Sequence, residues 1–141
     1  MVDIVDAATR SRMMSRIRGK NTAPEMQVRK FLHACGFRYR LHVKNLPGVP
    51  DIVLPKYRII ILVHGCFWHQ HPGCKHASMP KSNIAFWKEK LGGNIARDRR
   101  NIAALEENGW RCLVIWECQT GDKRKMKKLA KRITPPKVIM G

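Results

Sequence analysis

The stretch that decides the fold is LPGVPDIVLPKYRIIILVHGCFWHQHPGC, from Leu46 to Cys74. It contains a Pro-Asp step, an almost fully apolar run from Arg58 to Val63, and then several His and Cys residues around two aromatic side chains. The apolar run predicts a central β-strand that is covered on both faces. Because ligand-type side chains follow it directly, we expect the chemistry of the chain to lie at the end of this strand.

Helical and extended patterns flank this stretch in a regular order. On the N-terminal side, Thr22 and Glu25 have the spacing of a capping box, and the helix that they begin ends at Gly36. Residues 37–43 alternate between apolar and polar side chains and predict a strand. A second short strand follows from Asp51 to Leu54, before the apolar run.

A long helix follows on the C-terminal side, from Asn83 to Asn108, with Ser82 as its cap. Its predicted core stripe is interrupted by Asp98 and consists of Ile84, Trp87, Leu91, Ile95, Ile102 and Leu105. A buried strand over residues 111–116 and a basic helix complete the chain. The order predicts an α/β fold, with a mixed β-sheet between helices.

The charge of the chain indicates a polyanionic partner. Its 141 residues suit one domain, and 28 Lys and Arg against 10 Asp and Glu give a net charge of +18. We favour nucleic acid over an anionic membrane, because no apolar run approaches the roughly 20 residues of a membrane span. The N-terminus shows no secretory signal, so the five cysteines are expected in a reducing cytosol, as core thiols or metal ligands.

Four of the ligand-type residues predict a structural zinc site. Cys66, His71 and Cys74 lie close in sequence, and Cys118 follows the last predicted strand. Three thiolates and one imidazole close a tetrahedral shell without an open position. The spacing leaves two alternatives open, in which His76 replaces His71 or Cys112 replaces Cys118.

A second set of residues predicts phosphodiester hydrolysis. Pro50-Asp51 and the strand end at His64 resemble the order of the Pro-Asp…(Asp/Glu)-x-Lys nucleases, with Leu62 and His64 in the positions of the second carboxylate and the lysine. A main-chain carbonyl can replace the missing carboxylate as an oxygen ligand. His69 lies five residues after His64, within the predicted zinc loop.

The aromatic residues of this region predict contact with DNA bases. Phe67 and Trp68 are adjacent in a polar loop, so both cannot point inward on a regular strand. Large apolar side chains can enter between base steps and unstack them. Trp87 is a further candidate, although it also falls on the core stripe of the long helix.

Five blocks of sequence occur in order between residues 7 and 118: TRSRMMSRIRGKNTAPE, LPGVPDIV, HGCFWHQH followed by Cys74, FWKEKLGGNIARDRR, and GWRCLVIWEC. Together they resemble the very-short-patch repair (Vsr-type) DNA mismatch endonucleases. The resemblance implies a restriction-endonuclease-like mixed sheet flanked by helices, with a structural zinc. It also implies an Mg²⁺-dependent nick in double-stranded DNA, 5′ of the thymine in a T:G mismatch that arises from deamination of 5-methylcytosine.

The resemblance also implies a role for individual residues. Asp51 and the main-chain carbonyl of Val63 would bind Mg²⁺, and the other active-site residues would be His64, His69, Glu25 and Asp98. The zinc ligands would be Cys66, His71, Cys74 and Cys118. The DNA-contacting residues would be Met14, Phe67, Trp68, Trp87, Lys90 and Asn94.

Taken together, we expect a basic DNA-binding arm over residues 1–20, an endonuclease domain over residues 21–134, and a loose tail over residues 135–141. The protein is expected to act as a monomer in the bacterial cytoplasm, associated with the nucleoid. Mismatch-repair proteins are a further candidate class of partner. The alternative functions are a sequence-specific restriction endonuclease of the same fold and a zinc-stabilised DNA-binding module without catalysis.

Overall fold

A computed structural model describes residues 22–134, so the basic arm with Met14 and the tail after residue 134 lie outside the described residues. The described chain has three α-helices, which we call α1 (Ala23–Ala34), α2 (Ile84–Glu107) and α3 (Lys123–Ile133). Its strands are β1 (Arg40–Leu41), β2 (Ile52–Leu54), β3 (Ile59–His64) and β4 (Arg111–Trp116). Helix, three strands, long helix, strand and helix is the predicted order.

The four strands form one mixed sheet in the order β1-β2-β3-β4. β2 is antiparallel to both β1 and β3, whereas β4 runs parallel to β3 after the chain has crossed over through α2. β3 is therefore central, and Ile59, Ile60 and Ile61 are fully buried, as the apolar run predicted. The parallel register pairs His64 with Trp116, so both side chains lie at the carboxyl edge of the sheet.

Each face of the sheet has its own apolar core. Ile59 and Ile61 pack in the larger cluster with residues of α1 and α3, such as Leu32 and Leu129. Ile60 packs in a smaller cluster with Leu105 of α2. Because side chains alternate along a strand, His64 points to the same face as Ile60, the face that α2 covers. This alternation explains why the chemistry at the end of β3 involves α2.

Three local predictions were wrong. The strand over residues 37–43 contains only Arg40–Leu41, because His42 has a left-handed backbone with φ of 46° and cannot continue it. Helix α2 is preceded by Asn83, also left-handed, whose side chain makes no capping hydrogen bond, so Ser82 is not the cap. The core stripe begins later than expected, since Ile84 is 48% exposed.

The helices are amphipathic rather than apolar throughout. Met126, Leu129 and Ile133 of α3 are buried, as predicted, whereas its Lys and Arg residues are exposed. Thr22 accepts a hydrogen bond from the Glu25 N–H at the start of α1, which confirms that half of the capping box. Within residues 22–134, no helix is long and apolar enough to cross a membrane.

The turn before β2 packs tightly against α2. Gly48 has φ of +75°, and a Cβ atom at this position would lie 2.6 Å from the Asn101 side-chain nitrogen. Gly36 has a similar backbone, with φ of +86°, but a Cβ there would meet nothing within 4 Å. Gly48 is therefore needed for both its backbone conformation and its lack of a side chain.

We expect Gly48→Ala to lower the free energy of unfolding by about 2–4 kcal/mol, from left-handed strain and overpacking together. Gly36→Ala should cost only the strain, about 1–2 kcal/mol. Urea denaturation of both variants measures the difference. Asn101→Ala in the Gly48→Ala background should remove most of the steric part, because the Asn101 amide supplies the closest atoms. Equal losses in Gly48→Ala and Gly36→Ala would contradict this account.

Candidate active site and metal cluster

The predicted catalytic residues meet at the carboxyl edge of β3. Two adjoining hollows, of about 190 Å³ and about 350 Å³, open there. Asp51, Val63 and His69 line both of them. The first hollow continues along α2 towards Asp98, and the second towards Glu25 and the aromatic pair. The structure therefore brings together all five residues that the sequence predicted as catalytic.

Asp51 is held in place by the end of β3. The Val63 N–H donates a hydrogen bond of 3.0 Å to Asp51 Oδ2. Burial raises the pKa of Asp51 to about 6, and the nearby Glu25 carboxylate acts in the same direction, whereas the Val63 hydrogen bond partly opposes them. A buried carboxylate whose charge is this poorly compensated is a good site for a cation.

The main-chain carbonyl of Val63 points to the same side of β3 as the Asp51 carboxylate. Continuing the antiparallel register beyond the Ile52–Ile61 pair sets Pro50 opposite Val63, and proline has no N–H to donate to a carbonyl. The N–H and C=O of one strand residue point to the same side, and this N–H already reaches Asp51. A carboxylate and a carbonyl side by side suit a hard cation such as Mg²⁺.

Glu25 reaches the site through a histidine that the sequence analysis missed. Glu25 is only 2% exposed, and His42 Nε2 donates a 2.9 Å hydrogen bond to its Oε2. The potential ligand atoms of Glu25, His42 and Asp51 all lie within 4.8 Å of one another. The pattern of residues 37–43 predicted a strand and gave no sign of the turn that brings His42 to Glu25.

The two predicted histidines form a pair with Asp98. The His64 and His69 rings are stacked, with centroids 3.9 Å apart and planes at 5°. His69 Nδ1 lies 2.5 Å from Asp98 Oδ2, so the carboxylate fixes which ring nitrogen carries the proton. Burial lowers the pKa of His64 to about 4, and the neighbouring His69 adds to the effect. His64 is therefore neutral at pH 7.

The cysteine cluster has the composition that the sequence predicted. Cys66, His71, Cys74 and Cys118 present ligand atoms within 4.8 Å of one another. His71 Nδ1 lies 3.7 Å from the Cys66 sulfur and 3.5 Å from the Cys118 sulfur. A tetrahedral zinc site with bonds of about 2.3 Å and about 2.0 Å would set such atoms about 3.6 Å apart. The four side chains therefore fit one closed metal site.

The two alternative ligands lie outside this cluster. Cys112 points to the α2 face of the sheet and packs with the smaller core cluster, and burial raises its pKa to about 11. His76 is in a short 3₁₀ turn and does not join the four ligand atoms. Both observations support His71 and Cys118, and the identity of the metal stays a prediction.

The three predicted intercalating residues, Phe67, Trp68 and Trp87, contact one another and form an aromatic cluster. The Phe67 ring lies 5.1 Å from that of Trp68 and 5.4 Å from that of Trp87. All three are half-buried and lie outside both core clusters of the described chain, which favours a surface role over core packing. Phe86, which the sequence analysis did not single out, extends the group and is 51% exposed.

Two helix residues were predicted to read the DNA. Asn94 is only 5% exposed, and its amide donates a 3.1 Å hydrogen bond to the Trp68 carbonyl. It therefore holds the backbone of the Phe67–Trp68 pair against α2. Lys90 is half-buried on the same helix. Contacts of either residue with bases, and those of Met14, stay predictions.

Comparisons with known proteins show the family of the chain. Residues 2–76 match the family described as DNA mismatch endonuclease Vsr. The chain is 45% identical to the type II nicking enzyme V.XorIIP of Xanthomonas oryzae pv. oryzae, over 96% of this chain and 99% of that protein. It is 43% identical to the DNA mismatch endonuclease Vsr of Escherichia coli K12, over 89% of this chain and 80% of that protein.

A solved structure shows a similar fold. The catalytic domain of the homing endonuclease I-Bth0305I superposes with a TM-score of 0.55 at 21% identity, over 80% of this chain and 94% of that domain. The family match and the sequence relatives define a DNA-nicking endonuclease. The chain belongs to the family of Vsr DNA mismatch endonucleases and type II nicking enzymes.

We expect Asp51→Asn to stabilise the Mg²⁺-free protein at neutral pH. The carboxyl group ionises near 3.8 when unperturbed and at about 6 in the folded state, so the folded protein binds more protons between these values. Its stability therefore falls as the pH rises through this window. A neutral amide avoids the loss, which amounts to about 2–3 kcal/mol above pH 6.

Urea denaturation at pH 4 and pH 7.5 tests this expectation. The gain should appear at pH 7.5 and be absent at pH 4, where the native carboxyl is already protonated. Asp122→Asn is a suitable control, because Asp122 caps α3 at the surface. A gain that is the same at both pH values would show that ionisation of Asp51 is not its source.

Proposed function

We propose that this protein nicks double-stranded DNA on the 5′ side of the thymine in a T:G mismatch, in a reaction that requires Mg²⁺. The observation that carries the proposal is the position of Asp51, which lies between the His69–Asp98 pair and the aromatic cluster in adjoining hollows. One of its relatives, at 43% identity, is itself a DNA mismatch endonuclease. T:G mismatches from deaminated 5-methylcytosine would be the natural substrate.

The aromatic cluster supports a mismatch as the target. Phe67 and Trp68 line the same hollow as Asp51, so rings inserted into the base stack would bring the adjacent phosphate towards the carboxylate. Unstacking a base step costs a few kcal/mol, and it costs least where pairing is already weak. The net charge of +18 would supply attraction to the backbone that does not depend on sequence.

Mg²⁺ would be held by the Asp51 carboxylate and the Val63 carbonyl. Bound there, it would supply positive charge against the negative charge that develops on the phosphate oxygens. Glu25, held by His42, would keep a second carboxylate beside this position. The poorly compensated charge of Asp51 favours this assignment, because the cation would replace the solvation that burial removes.

The His69–Asp98 pair would carry the proton. With its Nδ1 bound to Asp98, His69 would accept a proton from the attacking water at Nε2, and the carboxylate would stabilise the resulting imidazolium. His64 has a pKa of about 4, so it would remain neutral and act mainly through its contact with His69. As water adds to phosphorus, the bond to the leaving oxygen would break, that oxygen would take up a proton from water, and one strand would be cut.

The cysteine cluster would bind a structural zinc. Its four ligands leave no open position for a substrate or a reactive water, which separates it from the chemistry at Asp51. A cut in one strand needs one active site, so a monomer would suffice. Mismatch-repair proteins that act on the same lesion, in the bacterial cytoplasm at the nucleoid, would be its natural partners.

Nicking of a labelled duplex with one T:G pair tests the function. With Mg²⁺, the protein should cut only the thymine strand, and Asp51→Ala should lower the rate at least about a hundredfold, because it removes metal-based charge stabilisation. Asp122→Ala, the same change at the α3 cap, should retain the rate. Cleavage of both strands in a fully paired duplex would indicate a restriction endonuclease, and salt-sensitive binding without a cut would indicate a non-catalytic module.

The aromatic cluster has its own test. Replacing Phe67 and Trp68 together by Ala should weaken binding to the T:G duplex by at least about thirtyfold, since base–aromatic contacts are worth about 1–3 kcal/mol each and two are removed. Binding to the fully paired duplex, which depends mainly on charge, should change much less. Titrations with both duplexes at one salt concentration measure the difference, and equal losses would rule out insertion as the source of selectivity.

A further inference from the structure

Four aromatic rings connect the cysteine cluster to the proposed proton carrier. The Trp116 ring is stacked on that of His71, with centroids 4.2 Å apart and planes at 8°. The same Trp116 ring meets His64 edge-to-face, at 5.2 Å and 76°. His64 is in turn stacked on His69, which is bound to Asp98. The line of contacts therefore runs from a metal ligand to the active site without a gap.

The register of the sheet creates this arrangement. Trp116 ends β4 directly beside His64, which ends β3. Two residues further on, each strand end supplies a cluster thiol, Cys118 in one case and Cys66 in the other. Each strand therefore delivers one ring towards the active site and one sulfur towards the metal cluster. The Trp116 ring contacts a side chain of each site, His64 in the active site and His71 in the cysteine cluster.

Packing rather than hydrogen bonding orients His64. Across residues 22–134, the His64 imidazole has ring contacts on two sides but no side-chain hydrogen bond. Trp116 itself is half-buried, lies outside both core clusters and lines an open hollow with His64, His69 and Asp98. The ring contacts of Trp116 within residues 22–134 are therefore with His64 and His71 and not with either core cluster.

We propose that Trp116 is a positioning residue that couples occupancy of the cysteine cluster to the orientation of His64 and His69. The inference rests on the catalytic role proposed above for this histidine pair. Metal binding fixes the His71 ring, the fixed ring supports Trp116, and Trp116 limits the rotation of His64 against His69. The cluster therefore acts on the nicking rate as well as on the stability of its loop.

Trp116→Leu tests this coupling, with Trp110→Leu as the matched control. Trp110 is also half-buried and adjoins β4, but it lies before the strand. The guanidinium carbon of Arg58 lies over its ring, 4.3 Å from the Trp110 ring centroid. The rate of single-turnover nicking of the T:G duplex should fall about tenfold to a hundredfold in Trp116→Leu. Losses of this size are typical when a residue that orients a ligand or catalytic group is replaced. The dissociation constant for the duplex should stay within about threefold, and Trp116→Phe should recover most of the rate.

A second readout does not depend on catalysis. In protein with ¹⁵N-labelled histidine, the His64 and His69 imidazole signals should shift in Trp116→Leu, and they should shift in the native protein when a chelator empties the cluster. The signals of Trp116→Leu should respond little to the chelator, because the connection is already lost. Zinc content should remain about one per chain in the variant, as expected for an intact four-ligand site.

Several results would overturn the proposal. Native nicking rates in Trp116→Leu, an equal loss in Trp110→Leu, or unchanged imidazole signals would each show that Trp116 does not position the histidines. Native protein without bound metal would remove the coupling to the cluster. Failure of the nicking function itself is distinguishable, because Asp51→Ala would then behave like native protein while the imidazole signals still reported on Trp116.

Discussion

The parallel pairing of β3 with β4 determines where the functional side chains of this endonuclease meet. Its register sets His64 beside Trp116, at the edge where both strands end. Immediately beyond that edge the two strands supply Cys66 and Cys118 to one cluster. A shift of one residue would turn each side chain to the opposite face of the sheet. The histidine pair and the cysteine cluster therefore depend on a single set of backbone hydrogen bonds.

Features that are determined within a few neighbouring residues could be predicted from the sequence. The apolar run of β3, the order of helices and strands, and the gathering of His69, Cys66 and Cys74 after it all follow from local patterns. The choice of Cys118 over Cys112 followed from the apolar run around Cys112, and Cys112 does pack with the smaller core cluster while Cys118 joins the metal cluster. Spacing alone treats both cysteines as neighbours of the same strand.

The residues that sequence reasoning missed act across long separations in the chain. His42 meets Glu25 only because its left-handed backbone interrupts an otherwise regular strand pattern, and nothing in residues 37–43 indicates that conformation. Trp116 looks like one more apolar residue of a buried strand until the register places it against His64 and His71. Ile84 fitted the helical stripe but lies beyond the end of the core, where periodicity carries no information about burial.

The crossover through α2 has a consequence for biosynthesis. Asp51 and the two histidines are translated well before Trp116 and Cys118, which come from the last third of the chain. On the ribosome, the first half therefore carries Asp51 and the two histidines without Asp98 and without β4, and long-range pairing forms only after the intervening chain is available. A basic nascent chain that already attracts nucleic acid would thus be unable to cut it until synthesis was nearly finished.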